Sequence, residues 1–300
     1  MPGIDPAVKT MEFTFSENET GYIDLSQCAS ILNRRFYRQG LQWAVAGIKI
    51  QSNAPGVAGT VTVSKLPETW VVGAAWEKSM TRWMEQQDRA LADMGAEETK
   101  SRYNDYKIHM DDNHVTAGFA ANKVPQDLLG APFALGEWDA SQVVIPNDGG
   151  TPGNTVEYLV KMIGNSSATA KGIIGGYVFS RSRPQSPDPS TPSVNTSWFN
   201  ELHDDGDTNA DVVANATKHN DELPYDQVAY PGAAGNGQTT ELVSRETFSA
   251  TTVSSTNRIS GFVAPCGLLK VVSTIGCIFT LYLVPGDHRG YMCEPMQEMN

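Results

Sequence analysis

The chain has 300 residues, of which 40% are hydrophobic and 19% charged, so it is long enough to bury a substantial core. Its formal net charge is -12 and its isoelectric point is about 4.8. Because phosphate neutralisation requires clustered lysine and arginine, this balance excludes a protein whose whole surface binds nucleic acid. One large β domain is favoured over two smaller domains, and any contact with nucleic acid is expected to be local.

The N-terminal region is predicted to contribute two short strands. Residues 11–16 alternate apolar and polar side chains, and residues 22–25 follow a turn-like segment, as β-strands do. Residues 26–32 are compatible with either a short helix or a strand. The sheet is therefore expected to begin close to the N-terminus.

The densest cluster of positive charge lies at residues 33–40 and is interleaved with two aromatic residues. Arginine beside aromatic side chains is typical of surfaces that hold a phosphate and stack a base of a single strand. The candidate nucleic-acid contacts are Arg34, Arg35, Tyr37 and Arg38. Since a short basic run is a weak motif, the alternative stays open that these arginines meet carboxylates of an adjacent subunit or face water.

Two strands and one long helix are predicted next. Residues 43–51 and Gly59–Lys65 have the β-branched alternation of strands. Residues 74–94 contain good helix formers throughout and a stripe of tryptophan and methionine, and Gly95 is expected to end the helix. Such a stripe is typical of packing, so we predict a helical insertion at 74–95 that lies against the sheet.

The following region is predicted to hold more strands and a long polar loop. Strand-like runs occur at residues 107–110, 116–119, 142–146, 155–163 and 173–180. Residues 181–245 begin with a proline-punctuated segment that cannot enter a central strand, and they continue in polar sequence. We predict a long loop insertion at 181–245 with a binding or contact role. Many short strands separated by turns indicate a sandwich or a barrel.

Two apolar, β-branched runs near the C-terminus, Leu268–Ser273 and residues 277–284, are predicted to be neighbouring core strands. Residues 274–276 separate them, and Pro285 with Gly286 closes the second run. The apolar stretch that contains them also holds proline, lysine and glycine, and its β-branched content favours strands over a spanning helix. No membrane span is predicted.

The four cysteines, Cys28, Cys266, Cys277 and Cys293, form no C-x-x-C pair and no zinc spacing. They are predicted to be buried, reduced thiols. Residues 1–10 lack a basic region followed by an apolar segment, so no signal peptide is predicted. Folding is expected in a reducing, intracellular compartment.

No motif of the sequence points to catalysis, a metal or a cofactor. His109 and His114, with aspartates between them, are candidate ligands at a turn, but their spacing matches no metal-binding motif. Residues 205–211 imitate the start of a calcium loop, yet Ala210 stands where that loop needs glycine and Ala216 where it needs a bidentate glutamate. We therefore predict no enzyme activity, no metal and no cofactor.

Three segments carry a resemblance to a known family. They are residues 180–189 (SRSRPQSPDP), 220–226 (NDELPYD) and 285–296 (PGDHRGYMCEPM). In these segments and in their order, the chain resembles the capsid proteins of small circular single-stranded DNA viruses that encode a replication initiator. The resemblance covers most of the chain, from Trp43 to the end.

The resemblance implies one domain over residues 1–300, a single antiparallel jelly-roll sandwich of eight core strands with long loop insertions. It implies about sixty copies in an icosahedral shell around single-stranded DNA, in a virion whose outer surface meets a host receptor. The candidate intersubunit contacts are Arg181, Arg183, His288 and Arg289. Such proteins commonly begin with a basic arm, whereas Lys9 is the single basic residue among residues 1–10. Contact with the DNA is therefore expected to be weak or local.

Two other functions are kept as alternatives. A carbohydrate-binding β-sandwich is the first, because aromatic residues in polar loops stack on sugar rings. Its candidate residues are Trp138, Trp198 and Tyr230. The second is a jelly-roll hydrolase or metal-dependent enzyme, whose candidate residues are His109, His114 and His288.

Overall fold

The computed structural model describes residues 5–54, 56–100, 105–146, 155–181, 239–251 and 254–299. Most of the predicted loop insertion at 181–245 lies outside the described residues. The same holds for several candidate residues, namely the side chain of Arg181, and Arg183, Trp198, Tyr230 and residues 205–211.

The described residues form strands more than helices. The strands are β1 (Thr10–Phe15), β2 (Glu19–Asp24), β3 (Leu41–Ser52), β4 (Gly59–Lys65), β5 (Gln142–Pro146), β6 (Thr155–Lys161), β7 (Ala170–Gly172), β8 (Glu241–Phe248), β9 (Thr256–Ala264), β10 (Leu268–Ser273), β11 (Cys277–Leu283) and β12 (Cys293–Pro295). The helices are α1 (Leu25–Asn33), α2 (Trp70–Asp93), α3 (Asp112–Ala117) and α4 (Ile173–Arg181). The all-β prediction is confirmed, whereas the prediction of a single helix is wrong.

Two antiparallel sheets make the main body of the fold. The first sheet has the order β1, β11, β3, β9, and β12 pairs with the start of β3. The second sheet has the order β2, β10, β4, β8. Every pairing in both sheets is antiparallel, so successive side chains of each strand alternate between the core and the outside.

Side chains from both sheets meet in one hydrophobic core. In β1, Met11, Phe13 and Phe15 are buried, and the residues between them are more exposed. Phe13 and Phe15 pack edge-on against Phe279 of β11, with ring centroids 6.3 and 5.7 Å apart. Val271 of the second sheet belongs to the same cluster. The two sheets therefore form a sandwich over a shared core. Burial of each such side chain contributes about 1.5–3 kcal/mol to the stability of the fold.

The two apolar C-terminal runs are strands, but they are not neighbours as predicted. β10 pairs with β2 and β4 of the second sheet, whereas β11 pairs with β1 and β3 of the first. The connection between them crosses from one sheet to the other, and Ile275 within it is buried in the core. The prediction failed because hydrophobic alternation places a strand on a core without specifying which strand it pairs with.

Helix α1 connects the second sheet to the first, which decides the open prediction for residues 26–32 in favour of a helix. The carboxylate of Asp24 caps its N-terminus by accepting hydrogen bonds from the N–H groups of Ser26 (2.9 Å) and Gln27 (3.3 Å). The helix ends at Arg34, whose φ of 50° lies in the left-handed region. This turn directs the following arginines towards the end of the sandwich.

The chain between β4 and β8 adds a second hydrophobic cluster to one side of the sandwich. Helix α2 begins at Trp70, earlier than predicted, and Gly95 with a φ of 65° lies just beyond its end, as predicted. A small sheet of order β5, β6, β7 packs with it. Buried side chains of α2, β6 and α4 share this cluster, for example Trp76, Val160 and Ile174.

Four strand or loop predictions in this region are wrong, and the first is the strand at 107–110, where His109 forms an isolated bridge to Lys161. The apolar run at 173–180 is helix α4, and residues 116–119 belong to α3 and to the single turn of helix that follows it. The end of the predicted loop at 181–245 is the beginning of β8. Asp111 explains α3, because its side chain accepts a hydrogen bond from the N–H of His114 and caps the helix. In α4, packing against α2 overrides a β-branched, glycine-containing sequence that by itself favours a strand.

Candidate functional site

Two groups of predicted site residues meet at one end of the sandwich. Residues 34–40, which we call the basic connection, lie between α1 and β3, and the turn at 287–290 follows β11. The guanidinium of Arg289 donates to the carbonyl of Phe36, and the hydroxyl of Tyr37 donates to the carbonyl of Arg289 (3.0 Å). The predicted nucleic-acid contacts and two of the predicted intersubunit contacts therefore form one surface.

Within this surface the three arginines of the basic connection are exposed, but Tyr37 is not. Its ring is fully buried against Trp43 (5.9 Å between centroids) and Tyr291 (5.5 Å). Burial raises the pKa of the Tyr37 hydroxyl. The prediction that Tyr37 stacks on a base is therefore wrong, because an alternating arginine and aromatic sequence does not reveal which rings enter the core.

A cleft of about 780 Å³ separates the basic connection from α2, and we call it the α2 cleft. One side is formed by α2, and the other by the basic connection and the turn at 287–290. The side chains that define it are Phe36, Arg38, Trp76, Met80, Trp83, Met84, Asp105, Tyr106, His288 and Arg289. The tryptophan and methionine stripe of α2 was predicted to be packing alone, yet part of it faces this opening.

Aromatic rings form one wall of the α2 cleft. The ring of Tyr106 lies 6.2 Å from Trp76 and 5.5 Å from Trp83, measured between centroids. Trp76 is buried, whereas Trp83 is only partly buried and is fixed by a hydrogen bond from its indole N–H to the carbonyl of Gln142 (3.1 Å). A Cβ on Gly40 would lie 2.2 Å from the Trp76 ring, so glycine is required for this close approach.

The charges at the α2 cleft are unequal. Arg38 and Arg289 are exposed at its edge. His288 is only partly exposed, and burial together with the charge of Arg289 lowers its pKa. The one carboxylate among the described lining residues is that of Asp105, which is almost completely buried. Burial raises its pKa, and the ammonium of Lys107 lies 3.4 Å from its Oδ2. The accessible edge of the cleft is therefore cationic.

Beneath the basic connection lies a buried polar network centred on Asp24. Its Oδ2 accepts hydrogen bonds from the side-chain amide of Gln39 (3.1 Å) and the indole N–H of Trp138 (3.0 Å). Gln39 also exchanges hydrogen bonds with both backbone groups of Ile108. Burial raises the pKa of Asp24 to about 6, although four donors point at its carboxylate. This network anchors the basic connection to the insertion.

The same network shows that one residue of the carbohydrate alternative was misassigned. Trp138 was predicted to be an exposed sugar-stacking residue, but only 9% of it is exposed. Its N–H is bound to Asp24, and the ammonium of Lys107 lies 4.4 Å from its ring centroid. A polar flanking sequence suggested exposure, whereas the buried carboxylate of Asp24 supplies the partner that draws the indole inwards.

The two central histidines are buried and packed on each other. The rings of His109 and His114 are 5.0 Å apart, and Phe119 stacks on His109 at 4.3 Å. Nδ1 of His114 accepts a hydrogen bond from the N–H of Met110, so Nε2 carries the proton and faces Asn122 Oδ1 (2.8 Å). Both nitrogens of His114 are thus occupied by the protein. His288 lies apart from them, at the α2 cleft.

Three further properties of the described part of the chain concern metal binding, thiols and membrane crossing. No group of three or more histidine, cysteine, aspartate or glutamate side chains there is placed to hold a metal ion. Cys28, Cys266 and Cys277 are buried free thiols as predicted, whereas Cys293 is only partly buried. None of the helices among these residues combines the length and the hydrophobicity that crossing a bilayer requires.

Comparisons of the chain with protein-family models, curated proteins and solved structures find no match. The site is therefore defined by its own residues. Sequence patterns located its arginines through local charge density, and they located α2 through helical periodicity. Asp105 and Gln39 were missed because neither belongs to a motif, although the conspicuous N-cap position of Asp24 was a usable signal for a buried carboxylate.

Proposed function

We propose that this protein is a capsid subunit that assembles into an icosahedral shell of about sixty copies around a single-stranded DNA genome. The observation that carries the proposal is the nested pairing of eight strands. The three sequence segments that resemble capsid proteins, residues 180–189, 220–226 and 285–296, give the proposal further support.

Of the nine strands in the two main sheets, eight pair from the outside inwards, and the short β12 stands outside this pattern. In chain order, the first pairs with the eighth (β1 with β11) and the second with the seventh (β2 with β10). The third pairs with the sixth (β3 with β9) and the fourth with the fifth (β4 with β8). A long antiparallel ribbon rolled into a sandwich has this nesting, which supports the finer assignment as a jelly roll.

Jelly rolls occur in viral capsids and also in lectins and cupins, so assembly needs its own support. The loop around Leu128 and Leu129 provides it. These two leucines are 105% and 92% exposed, at the tip of a turn closed by the bridge between Gln126 and Pro132. Two adjacent, fully exposed leucines form an apolar patch on a loop, and such a patch supports a role as an interaction surface.

The leucine loop is held in shape by its own hydrogen bonds. Oδ1 of Asp127 accepts from the N–H groups of Leu129 and Ala131, each at 2.9 Å. The N–H of Gln126 donates to the carbonyl of Glu12, so the loop also covers the edge of β1. A loop fixed in this way presents its leucines without paying an ordering cost on association, as a repeated contact in a shell requires.

The test is particle formation by the purified protein. Mass photometry and negative-stain electron microscopy are expected to show closed particles of one size, with a mass of about 2 MDa for about sixty chains. A protein that stays monomeric at high concentration across salt and pH would contradict the proposal. A defined glycan ligand without particles would favour the carbohydrate-binding alternative.

Variants of the leucine loop sharpen this test. Leu128→Asp combined with Leu129→Asp is expected to abolish particles and to leave the circular dichroism spectrum and thermal unfolding of the subunit unchanged. Met94→Asp is the matched control, because Met94 is 79% exposed beyond the end of α2. Equal particle yields from the double variant and the control would remove the leucine loop as an interface.

A further inference from the structure

The α2 cleft combines an aromatic wall, a cationic edge and a volume of about 780 Å³. Small-molecule sites usually measure about 300–1,000 Å³ and have mostly apolar walls with a few placed polar groups. We propose that the α2 cleft binds a nucleotide unit, with the base against the aromatic wall and the phosphate on Arg38 and Arg289. The proposed function enters this inference only as one source of the nucleotide unit, namely the packaged single-stranded DNA.

The aromatic wall fits a planar ring. Trp83 is partly buried, so an area of its ring remains open to the cleft, and Phe36 stands partly exposed on the opposite side. The hydrogen bond to Gln142 and the contact with Tyr106 fix the orientation of Trp83 before any ligand arrives. Bases stack on such fixed rings with little dependence on their identity, because every base has a π-face.

The cationic edge fits a phosphate. One Nη of Arg289 is bound to the carbonyl of Phe36, and the carbonyl of Arg289 accepts from Tyr37. A guanidinium has five N–H donors in a planar fork, so donors remain for an anion, and the side chain is already positioned. The carbonyl of Arg38 accepts from the hydroxyl of Ser26 (3.0 Å), which anchors the backbone of this exposed arginine.

The single carboxylate of the lining does not cancel this edge. The Asp105 side chain is only 5% exposed, and its carboxylate interacts first with Lys107 at 3.4 Å and the N–H of Gln39 at 3.3 Å, and more weakly with Arg38. The chain as a whole is strongly acidic, with a formal net charge of -12, so this cationic edge is a local site of attraction for an anion. Charge and ring chemistry together favour a nucleotide over an apolar peptide.

The experiment measures binding of two probes, deoxyadenosine monophosphate and a single-stranded oligonucleotide of about ten deoxyadenosines. Isothermal titration calorimetry and quenching of tryptophan fluorescence are recorded at low salt, because phosphate contacts weaken as salt rises. Saturation by the monophosphate identifies a site for a free nucleotide. Binding of the oligonucleotide with a much higher affinity per molecule identifies a site for single-stranded nucleic acid.

Charge variants decide whether the α2 cleft is the site. Arg38→Gln combined with Arg289→Gln is expected to weaken binding of either probe by about tenfold or more and to flatten its salt dependence. Arg245→Gln on β8 is the matched control, since Arg245 is exposed and does not line the cleft. Equal losses in the control, or no loss in the double variant, would overturn the proposal, as would the absence of binding by both probes.

A second variant separates stacking from charge. Trp83→Leu keeps an apolar side chain and both arginines, and it is expected to weaken binding by about fivefold or more and to remove most of the fluorescence quenching. Full quenching in Trp83→Leu would place the base elsewhere. Thermal unfolding of each variant checks that it folds. Particle formation is scored separately, so shells without nucleotide binding reject this site alone, and binding without shells rejects the capsid function alone.

Discussion

Tyr22 and His114 stack face to face, with ring centroids 4.3 Å apart and ring planes within 5° of each other. The Tyr22 hydroxyl donates to Oδ1 of Asp111 (2.6 Å), and the ammonium of Lys270 lies 2.6 Å from the other oxygen of that carboxylate. His114 is therefore enclosed by an aromatic face, a second histidine and a cationic side chain. Burial first, and the nearby His109 second, lower the pKa of His114 to about 4.

The first prediction follows from this lowered pKa. The unfolded chain has a histidine pKa of about 6.5, so neutral His114 stabilises the fold above about pH 6.5 and this contribution is lost as the pH falls through about 4. Between about pH 7.5 and about pH 5 the loss is about 2 kcal/mol. Urea unfolding of His114→Gln is expected to lack this part of the pH dependence. The leucine-loop double variant serves as the background, because it keeps the subunits apart.

The second prediction concerns Asp24, whose pKa is raised in the folded protein, whereas the pKa of His114 is lowered. Its folded pKa of about 6 exceeds the unfolded value of about 3.9, so protonation stabilises the fold at low pH and the benefit is lost as the pH rises through about 6. Asp24→Asn leaves at least one buried donor without an acceptor and is expected to cost about 2 kcal/mol at about pH 7.5. The cost should grow by about 1 kcal/mol towards pH 5. A cost that shrinks on acidification would contradict the assignment.

The third prediction tests the close approach of Gly40 to Trp76. An added Cβ would lie 2.2 Å from the ring, so Gly40→Ala forces the indole to move and is expected to destabilise the fold by about 1–3 kcal/mol. The matched control is Gly175→Ala in α4, where nothing lies within 4 Å of the added atom. That change is expected to be neutral or to stabilise by about 0.5–1 kcal/mol. Chemical denaturation of the two variants gives the comparison.

The fourth prediction contrasts the two partners of a half-buried ion pair. Lys161 is fully buried and its ammonium is bound by Asp112, whose side chain is 61% exposed. Asp112→Ala leaves the buried ammonium without this carboxylate and is expected to cost about 2 kcal/mol. Lys161→Met removes the buried charge itself and should cost less than about 1 kcal/mol, because an apolar side chain of similar length fills the site. A larger loss of unfolding free energy in Lys161→Met than in Asp112→Ala would contradict this prediction.

Several strands were predictable because their side chains alternate over a buried face. β4 was predicted with its observed bounds, and β1 within one residue, since each presents one row of apolar side chains to the core. β8 was missed because it lies at the edge of the second sheet, where most of its side chains face outwards and the alternation is weak. Its sequence alone resembles a polar loop.

The candidate site was predictable only in part. Charge density marked Arg34, Arg35 and Arg38, and all three are exposed. The burial of Tyr37 was not predictable, because its partners, Trp43 and Tyr291, come from distant parts of the sequence. Contacts of that kind depend on which strands pair, and strand pairing is decided by the packing of the whole core.

By itself, the sequence predicted a mainly β-sheet fold, a long helix over residues 74–94, and one short segment that concentrates the arginines. Periodicity and local charge are properties of neighbouring residues, so they can be read along the chain. Only the tertiary structure decided that β10 and β11 belong to opposite sheets, and that Arg38, Arg289 and Trp83 face one cleft. These residues are far apart in sequence, and burial of a shared core is what brings them together.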